Sequence, residues 1–380
     1  MNRAAGPERE GDPVGIPAHE LASQLVDLAI AIQQIPSPTF AEAERAAFVA
    51  RQFGQAGLRD VATDELHNVY GRLPGGTGKA VLVSAHLDTV FPAGTDLAIT
   101  RSEGRVAGPG IADNSLAVAA LCLLPRALTG AALPGDLWIV ANAREEGNGD
   151  LGGMRTVMKR LRTTVAGVVV LEGSGLGRVC HQGVGSRRYR VSVSAPGGHS
   201  WENFGQASAV HELVRLAGQM LTLEVRRSPK STYNIGVISG GRSVNTIAES
   251  ASLELDLRSE SREGLESLVE QVERMVAGAG APEVRVTLET IGDRTPGAID
   301  TRHPLPELCR TVLRELRVEP RSRPESTDAN VPLAMGIPAV CIGLTKAGDV
   351  HRASEYMETG PVATGLAQLV TLIPRVYGAL

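Results

Sequence analysis

Three short apolar runs constrain this chain more than any other feature: Val81-Leu82-Val83, Leu137-Trp138-Ile139-Val140 and Val168-Val169-Val170-Leu171. None alternates with polar residues, so each reads as a strand buried on both faces, the pattern of a parallel sheet covered by helices. Each is followed by residues that carry chemistry. After the first come His86 and Asp88, after the second Arg144-Glu145-Glu146-Gly147, and after the third Glu172. Function collects at the carboxyl ends of strands in an open α/β sheet. A lone His-x-Asp is an ordinary solvated loop, and a lone Glu-Glu an ordinary acidic turn. Three buried strands in succession ending on such residues form a pattern that chance does not supply.

A chain of 380 residues exceeds one usual core, so two domains are expected. The net charge of -4 gives no electrostatic footprint for nucleic acid, and 3% aromatic residues leave little for base stacking. The glycine-rich Gly75-Gly76-Thr77-Gly78-Lys79 fails as a phosphate loop, because Leu73 and Ala80 break the motif and a strand, not a helix, follows. Cys122, Cys180, Cys309 and Cys341 are far apart, as free thiols of a reducing compartment are. Residues 1–17 are polar with no apolar segment and are expected to be a disordered tail, not a signal peptide. No apolar run is long enough for a membrane span, so a cytoplasmic protein without membrane or nucleic-acid partners is expected.

The texture changes twice. Residues 18–185 carry helical spacing and buried runs, including Gly108-Pro109-Gly110-Ile111-Ala112-Asp113 ahead of the apolar Leu116–Leu124, which sets Asp113 at the mouth of a helix. From Ser186 to Ile291 strands alternate instead, as in Tyr189, Val191 and Val193 or Leu253, Leu255 and Leu257. There the order is β-α-β-β-α-β, a ferredoxin-like unit with helices on one face. Residues 292–380 return to the first texture, with a buried strand at 339–344 followed by Gly348-Asp349-Val350-His351. The expectation is an α/β protein: a mixed-sheet catalytic domain (18–185 and 292–380) interrupted by an inserted domain (186–291).

His86, Asp113, Glu146, Glu172 and His351 make a mixed imidazole and carboxylate set. Two ions bridged by Asp113 would each gain one histidine and one further carboxylate, leaving positions open for water, as catalytic sites do. Such donors suit zinc first, with cobalt or manganese possible. Glu145, beside a ligand but not needed as one, is the candidate general base.

Ala85-His86-Leu87-Asp88-Thr89-Val90, Gly108–Asp113, Glu145-Glu146-Gly147 and the late His351 resemble the two-metal exopeptidase and deacylase family of aminoacylase, acetylornithine deacetylase, glutamate carboxypeptidase and tripeptidase T. The resemblance spans nearly the whole chain beyond the tail. It implies His86 and Glu172 on one metal, Glu146 and His351 on the other, and Asp113 bridging. It further implies that Asp88 orients His86, that Glu145 activates a metal-bridging water, and that the inserted domain is a lid that forms a homodimer. In Gly197-Gly198-His199-Ser200, His199 matches the family's lid histidine, which serves the partner's metals, while Asn245 and Arg258 match its contacts to a substrate carboxylate. Glu at position 172 resembles the carboxypeptidase and deacylase branch, which points to peptides or N-acyl amino acids cut beside a free carboxylate. An aminopeptidase or tripeptidase that reads a free amine, and a metal-binding homologue without activity, are the alternatives. Asn114-Ser115-Leu116 after Asp113, Trp201 after the lid motif, and Arg144 before the paired acids depart from the common pattern.

Overall fold

The strand Gly78–His86 lies at the centre of a seven-stranded sheet in a computed structural model that describes residues 18–280 and 283–380. The expected tail at 1–17 falls outside the described residues. In spatial order the sheet runs Arg59–Thr63, Val69–Leu73, Gly135–Asn142, Gly78–His86, Val165–Ser174, Ala339–Thr345 and Val179–Cys180. The four strands Gly135–Asn142, Gly78–His86, Val165–Ser174 and Ala339–Thr345 are parallel, and the flanking strands pair antiparallel.

The continuous apolar runs exist because both faces are covered. Val81, Val83 and Ala85 pack into one core with residues of the helices Ala18–Gln33, Leu116–Ala127 and Val362–Val376. Ala80 and Leu82 face the other core, under the helix Gly152–Leu161. With the strands parallel, their carboxyl ends lie side by side, and His86, Glu145-Glu146 and Glu172 come from three neighbouring ends.

A second sheet is antiparallel throughout, in the order Ser231–Gly240, Ser250–Ser259, Gly185–Ser194, Arg285–Arg294. The helices Ala209–Met220 and Arg262–Ala277 cover one face, on Tyr189, Val191, Val193, Leu253, Leu255 and Leu257. Its elements follow one another in the expected β-α-β-β-α-β order.

Several boundaries differ from expectation. His86 and Glu172 lie within their strands, as the last residue of one and inside Val165–Ser174. Asp113 does not cap a helix; it sits within the irregular turn Ile111–Ser115 at φ -116° and ψ 89°. The last strand of the second sheet, Arg285–Arg294, runs past the expected domain boundary at 291. Gly292, Asp293 and Arg294 carry no alternation but pair with Arg188, Arg187 and Ser186. The last helix runs from Val362 to Val376 with Pro374 inside it. All four cysteines are buried and free, and among the described residues no helix is long and apolar enough to cross a membrane.

Candidate metal centre

Asp113 stands between two imidazoles. Its Oδ1 is 3.0 Å from His86 Nε2 and its Oδ2 is 3.0 Å from His351 Nε2. Glu146 Oε1 is 3.1 Å from His351 Nε2, and Glu172 Oε2 is 3.8 Å from His86 Nε2. Each carboxylate oxygen of Asp113 therefore faces one histidine, and each histidine has one further glutamate beside it. His86, Asp113 and Glu146 offer ligand atoms that all lie within 4.8 Å of one another.

The residues present fit divalent ions. His86 Nδ1 lies 3.0 Å from the main-chain oxygen of Asp88, a pure acceptor, so this nitrogen carries the proton and Nε2 presents a lone pair. That lone pair meets Asp113 Oδ1, which is buried and without a hydrogen bond. A nitrogen and a carboxylate oxygen at this range call for a proton or a metal cation between them. Without one, the electrostatics are those of clustered acids. Burial works against a charged His86, yet Asp113, Asp88 and Glu172 hold its pKa well above the ordinary imidazole value. Hydrogen bonds that its protonated ring donates to Asp113 and Glu146, against some desolvation, raise His351 to about 10. Burial opposes ionisation of Asp113, but the two histidines hold it below the usual carboxylate range.

The loops are tied together by side chains outside the candidate ligand set. Asp88 orients His86 through its carbonyl; its buried carboxylate accepts the N–H groups of Glu145 and Glu146, both at 2.9 Å, and the Thr39 hydroxyl at 2.9 Å. Asp88 thus meets His86 Nδ1 through its main-chain oxygen, with its carboxylate Oδ1 at 3.7 Å from the same nitrogen, and that carboxylate also fixes the paired acids. Asn114, the departure noted in the sequence, brackets Glu172: its amide donates to Leu171 O at 3.0 Å and its oxygen accepts Gly173 N at 2.8 Å.

Glu145 is buried beside Arg294, whose Nη1 is 3.2 Å from Glu145 Oε1 and whose Nη2 donates to the Glu145 carbonyl at 2.5 Å. Burial raises the Glu145 pKa well above the usual range, while Arg294 pulls it down and Glu146 pushes it up. The centre opens into a cavity of about 440 Å³ lined also by Arg178, Arg188, Arg258 and Arg323. His199 and Asn245 do not line it. They lie together elsewhere, where the bridge Gly198–His199 pairs with Thr246–Ile247 and Ser200 N donates to Asn245 O at 3.1 Å.

Residues 82–375 match the model of peptidase family M20/M25/M40. The chain belongs to this family. As an M20/M25/M40 member it is a metallohydrolase acting on peptide or amide bonds. Acetylornithine deacetylase of Myxococcus xanthus is 26% identical over 356 residues, which cover 85% of this chain and 87% of that protein. The aminopeptidase PepT of Bacillus cereus superposes with a TM-score of 0.76 at 20% identity, over 93% of this chain and 98% of its own. An M20 family metallo-carboxypeptidase of Sulfolobus solfataricus gives 0.77 at 13% identity, over 94% of this chain and 100% of its own. At these identities the two structures establish the shared fold.

Two residues at this family's centre escape the sequence reading. Glu355 is fully buried; its Oε1 accepts the N–H groups of Ala112 (2.8 Å) and Asp113 (2.9 Å), and its Oε2 that of His351 (3.3 Å). One carboxylate thereby joins the loops that supply two of the five candidate ligands. The available signal was an acid four residues after a candidate ligand. Arg294 had no signal, because the strand that delivers it outruns its own hydrophobic pattern.

Proposed function

We propose that the chain is a two-metal hydrolase that cleaves a peptide or N-acyl amide bond beside a free carboxylate, as a carboxypeptidase, dipeptidase or N-acyl-amino-acid deacylase does. The observation that carries this reading is Arg258, whose guanidinium lines the same cavity as His86, Asp113, Glu146, Glu172 and His351. A guanidinium is suited to bidentate capture of a carboxylate.

In this reading His86 and Glu172 would hold one ion and Glu146 and His351 the other, with Asp113 shared between them; zinc suits the donors first, then cobalt or manganese. When bound, the ions act as Lewis acids on the substrate carbonyl and acidify water. Glu145 takes the proton of the attacking water and passes it to the leaving amine. Its burial gives it a high proton affinity, and Arg294 and the Asp88 carboxylate hold it in place. Arg258 and Asn245 are assigned to the substrate carboxylate.

His199 is assigned to the carbonyl oxygen as charge develops there. Its Nδ1 accepts the N–H groups of Trp201 and Glu202 at 3.3 and 3.4 Å, which leaves Nε2–H to donate. Because His199 and Asn245 lie outside the cavity of their own chain, the proposal has the lid of a second copy supply them. The segment 186–291 is then the ferredoxin-like lid and dimerisation domain. Its edge strand Ser231–Gly240 exposes Val237 (52%) and Ile238 (57%), a surface suited to pairing with its equivalent. The free buried thiols accord with a cytoplasmic setting.

The test is hydrolysis of one dipeptide in N-acetylated and free-amine forms, with and without its C-terminal carboxylate, and with zinc, cobalt and manganese added separately. Cleavage that requires the carboxylate and tolerates the acetyl group is expected. Cleavage that requires the free amine refutes the reading.

A further inference from the structure

The chain passes between the two sheets twice, at Val184 just before the strand Gly185–Ser194 and at Thr295 just after Arg285–Arg294. Asn330 clasps both crossings. Its buried amide donates to Val184 O at 2.8 Å and to Thr295 O at 3.3 Å. Asn330 and Thr295 also line a cavity of about 230 Å³ that shares no lining residue with the cavity of the metal centre. Leu151, Arg155, Val331 and Met335 of the first domain line it, together with Arg262, the first residue of the helix Arg262–Ala277 on the second sheet.

The charge in this cavity is unbalanced. Arg155 spends Nε and Nη2 on Asp150, at 3.1 Å each, and Nη2 also reaches the Asp293 carbonyl, which leaves Nη1 uncommitted. The Arg262 guanidinium has no hydrogen-bond or ion-pair partner among the described residues, and none of those that line the cavity is an acid. Asp150 offsets Arg155, so the unmatched charge is the single one of Arg262. Leu151, Val331 and Met335 give the same cavity an apolar wall. A monoanion with a small apolar body matches both features. Phosphate, with no apolar part, matches only the charge.

We propose that this hinge cavity is an effector site for a small aliphatic monocarboxylate. Its carboxylate sits on Arg262 and the free Nη1 of Arg155, and its chain lies on Leu151, Val331 and Met335. Such a ligand ties the two domains together beside both linkers and so acts on the angle between them. Motions of that kind gate substrate entry and product release, and a ligand that favours one angle shifts the population toward it.

Equilibrium dialysis of radiolabelled isovalerate tests the site, on zinc-loaded and on metal-free protein, so that binding at the hinge is separated from binding to the ions. One equivalent per chain is expected in both forms. It should survive Arg258→Ala and weaken by about tenfold or more, the size of one charge-assisted contact, in Arg262→Ala and in Met335→Glu. Both positions are exposed, so neither change disturbs the core. Neither isovaleramide, the uncharged isostere, nor inorganic phosphate should displace it at equal concentration. Isovalerate should also lower kcat at saturating substrate in the zinc-loaded wild type but not in Arg262→Ala, whereas a competitor in the catalytic cavity raises KM alone. Binding that vanishes with zinc or with Arg258→Ala, that persists unweakened in both hinge variants, or that either competitor displaces overturns the site. A kcat that isovalerate leaves unchanged overturns the effector role. Neither failure touches the reading of which bond is cleaved.

Discussion

Glu355 offers the sharpest test of how the centre is held. Replacement by alanine strands the N–H groups of Ala112 and Asp113, which now donate at 2.8 and 2.9 Å, and frees His351 N, at 3.3 Å. A buried donor left unpaired costs about 1–3 kcal/mol, so the two short bonds alone make a loss of about 2–6 kcal/mol, at the lower end if water enters. Glutamine is the more telling change. Its oxygen keeps the Ala112 and Asp113 pair, but its NH2 then faces the N–H of His351, donor against donor. The strain falls on the His351 loop, and residues behind metal ligands typically control about 10–100-fold of metal affinity. Competition with a chromophoric chelator measures that affinity, and thermal unfolding of the metal-free protein measures the stability. Glu355→Gln should lower affinity for one ion far more than for the other, while Glu355→Ala should also lower the Tm. Wild-type affinity for both ions in Glu355→Gln, with a wild-type Tm in Glu355→Ala, would refute the view that this carboxylate sets the two loops.

Arg294→Met should move the acidic limb of the kcat/KM profile to higher pH, because Arg294 holds the Glu145 pKa down against burial and Glu145 must be ionised to accept a proton; an unmoved limb removes Arg294 from the mechanism. The metal-free protein should lose stability as pH rises from 6.5, the ordinary imidazole value, through about 10, because the folded state holds the His351 proton more tightly than the unfolded chain does. Zinc-loaded protein should show no such fall, and equal slopes with and without metal would contradict the shared use of His351. His199→Ala and Glu145→Ala homodimers should each be inactive, yet unfolding and reassembling their mixture should restore activity, since one site of each heterodimer keeps both residues. No recovery, with heterodimers seen by native mass spectrometry, would place His199 in its own chain or outside the reaction.

Glu145, Glu146 and His86 were legible because they follow buried runs, and a parallel sheet brings the carboxyl ends of its strands together whatever the loops do. His351 was legible for the same reason, after the strand Ala339–Thr345. The alternation of Tyr189, Val191 and Val193 against Leu253, Leu255 and Leu257 likewise marked the second sheet, since only one of its faces is covered. Asp113 was found as a residue but not as a conformation, for its irregular turn is held by Glu355, 242 positions away. Glu355 and Arg294 act through partners remote in sequence, and nothing local distinguishes them from a surface acid and a strand-end base. The carboxylate of Asp88 has a further task that spacing does not show. Spacing places it near His86, but only the fold shows that its oxygens are occupied by the backbone of Glu145 and Glu146.

The central claim is that five side chains hold two divalent ions with Glu145 beside them as the base. Elemental analysis of zinc-reconstituted protein, run in parallel on the wild type, Glu145→Ala, Glu146→Ala and His351→Ala together with turnover, tests it most directly. The account predicts two ions per chain in the wild type and in Glu145→Ala, the latter with turnover lowered by about 10²-fold or more, and a reduced stoichiometry in the other two variants. Full occupancy in Glu146→Ala and His351→Ala, or near-normal turnover in Glu145→Ala, would contradict it.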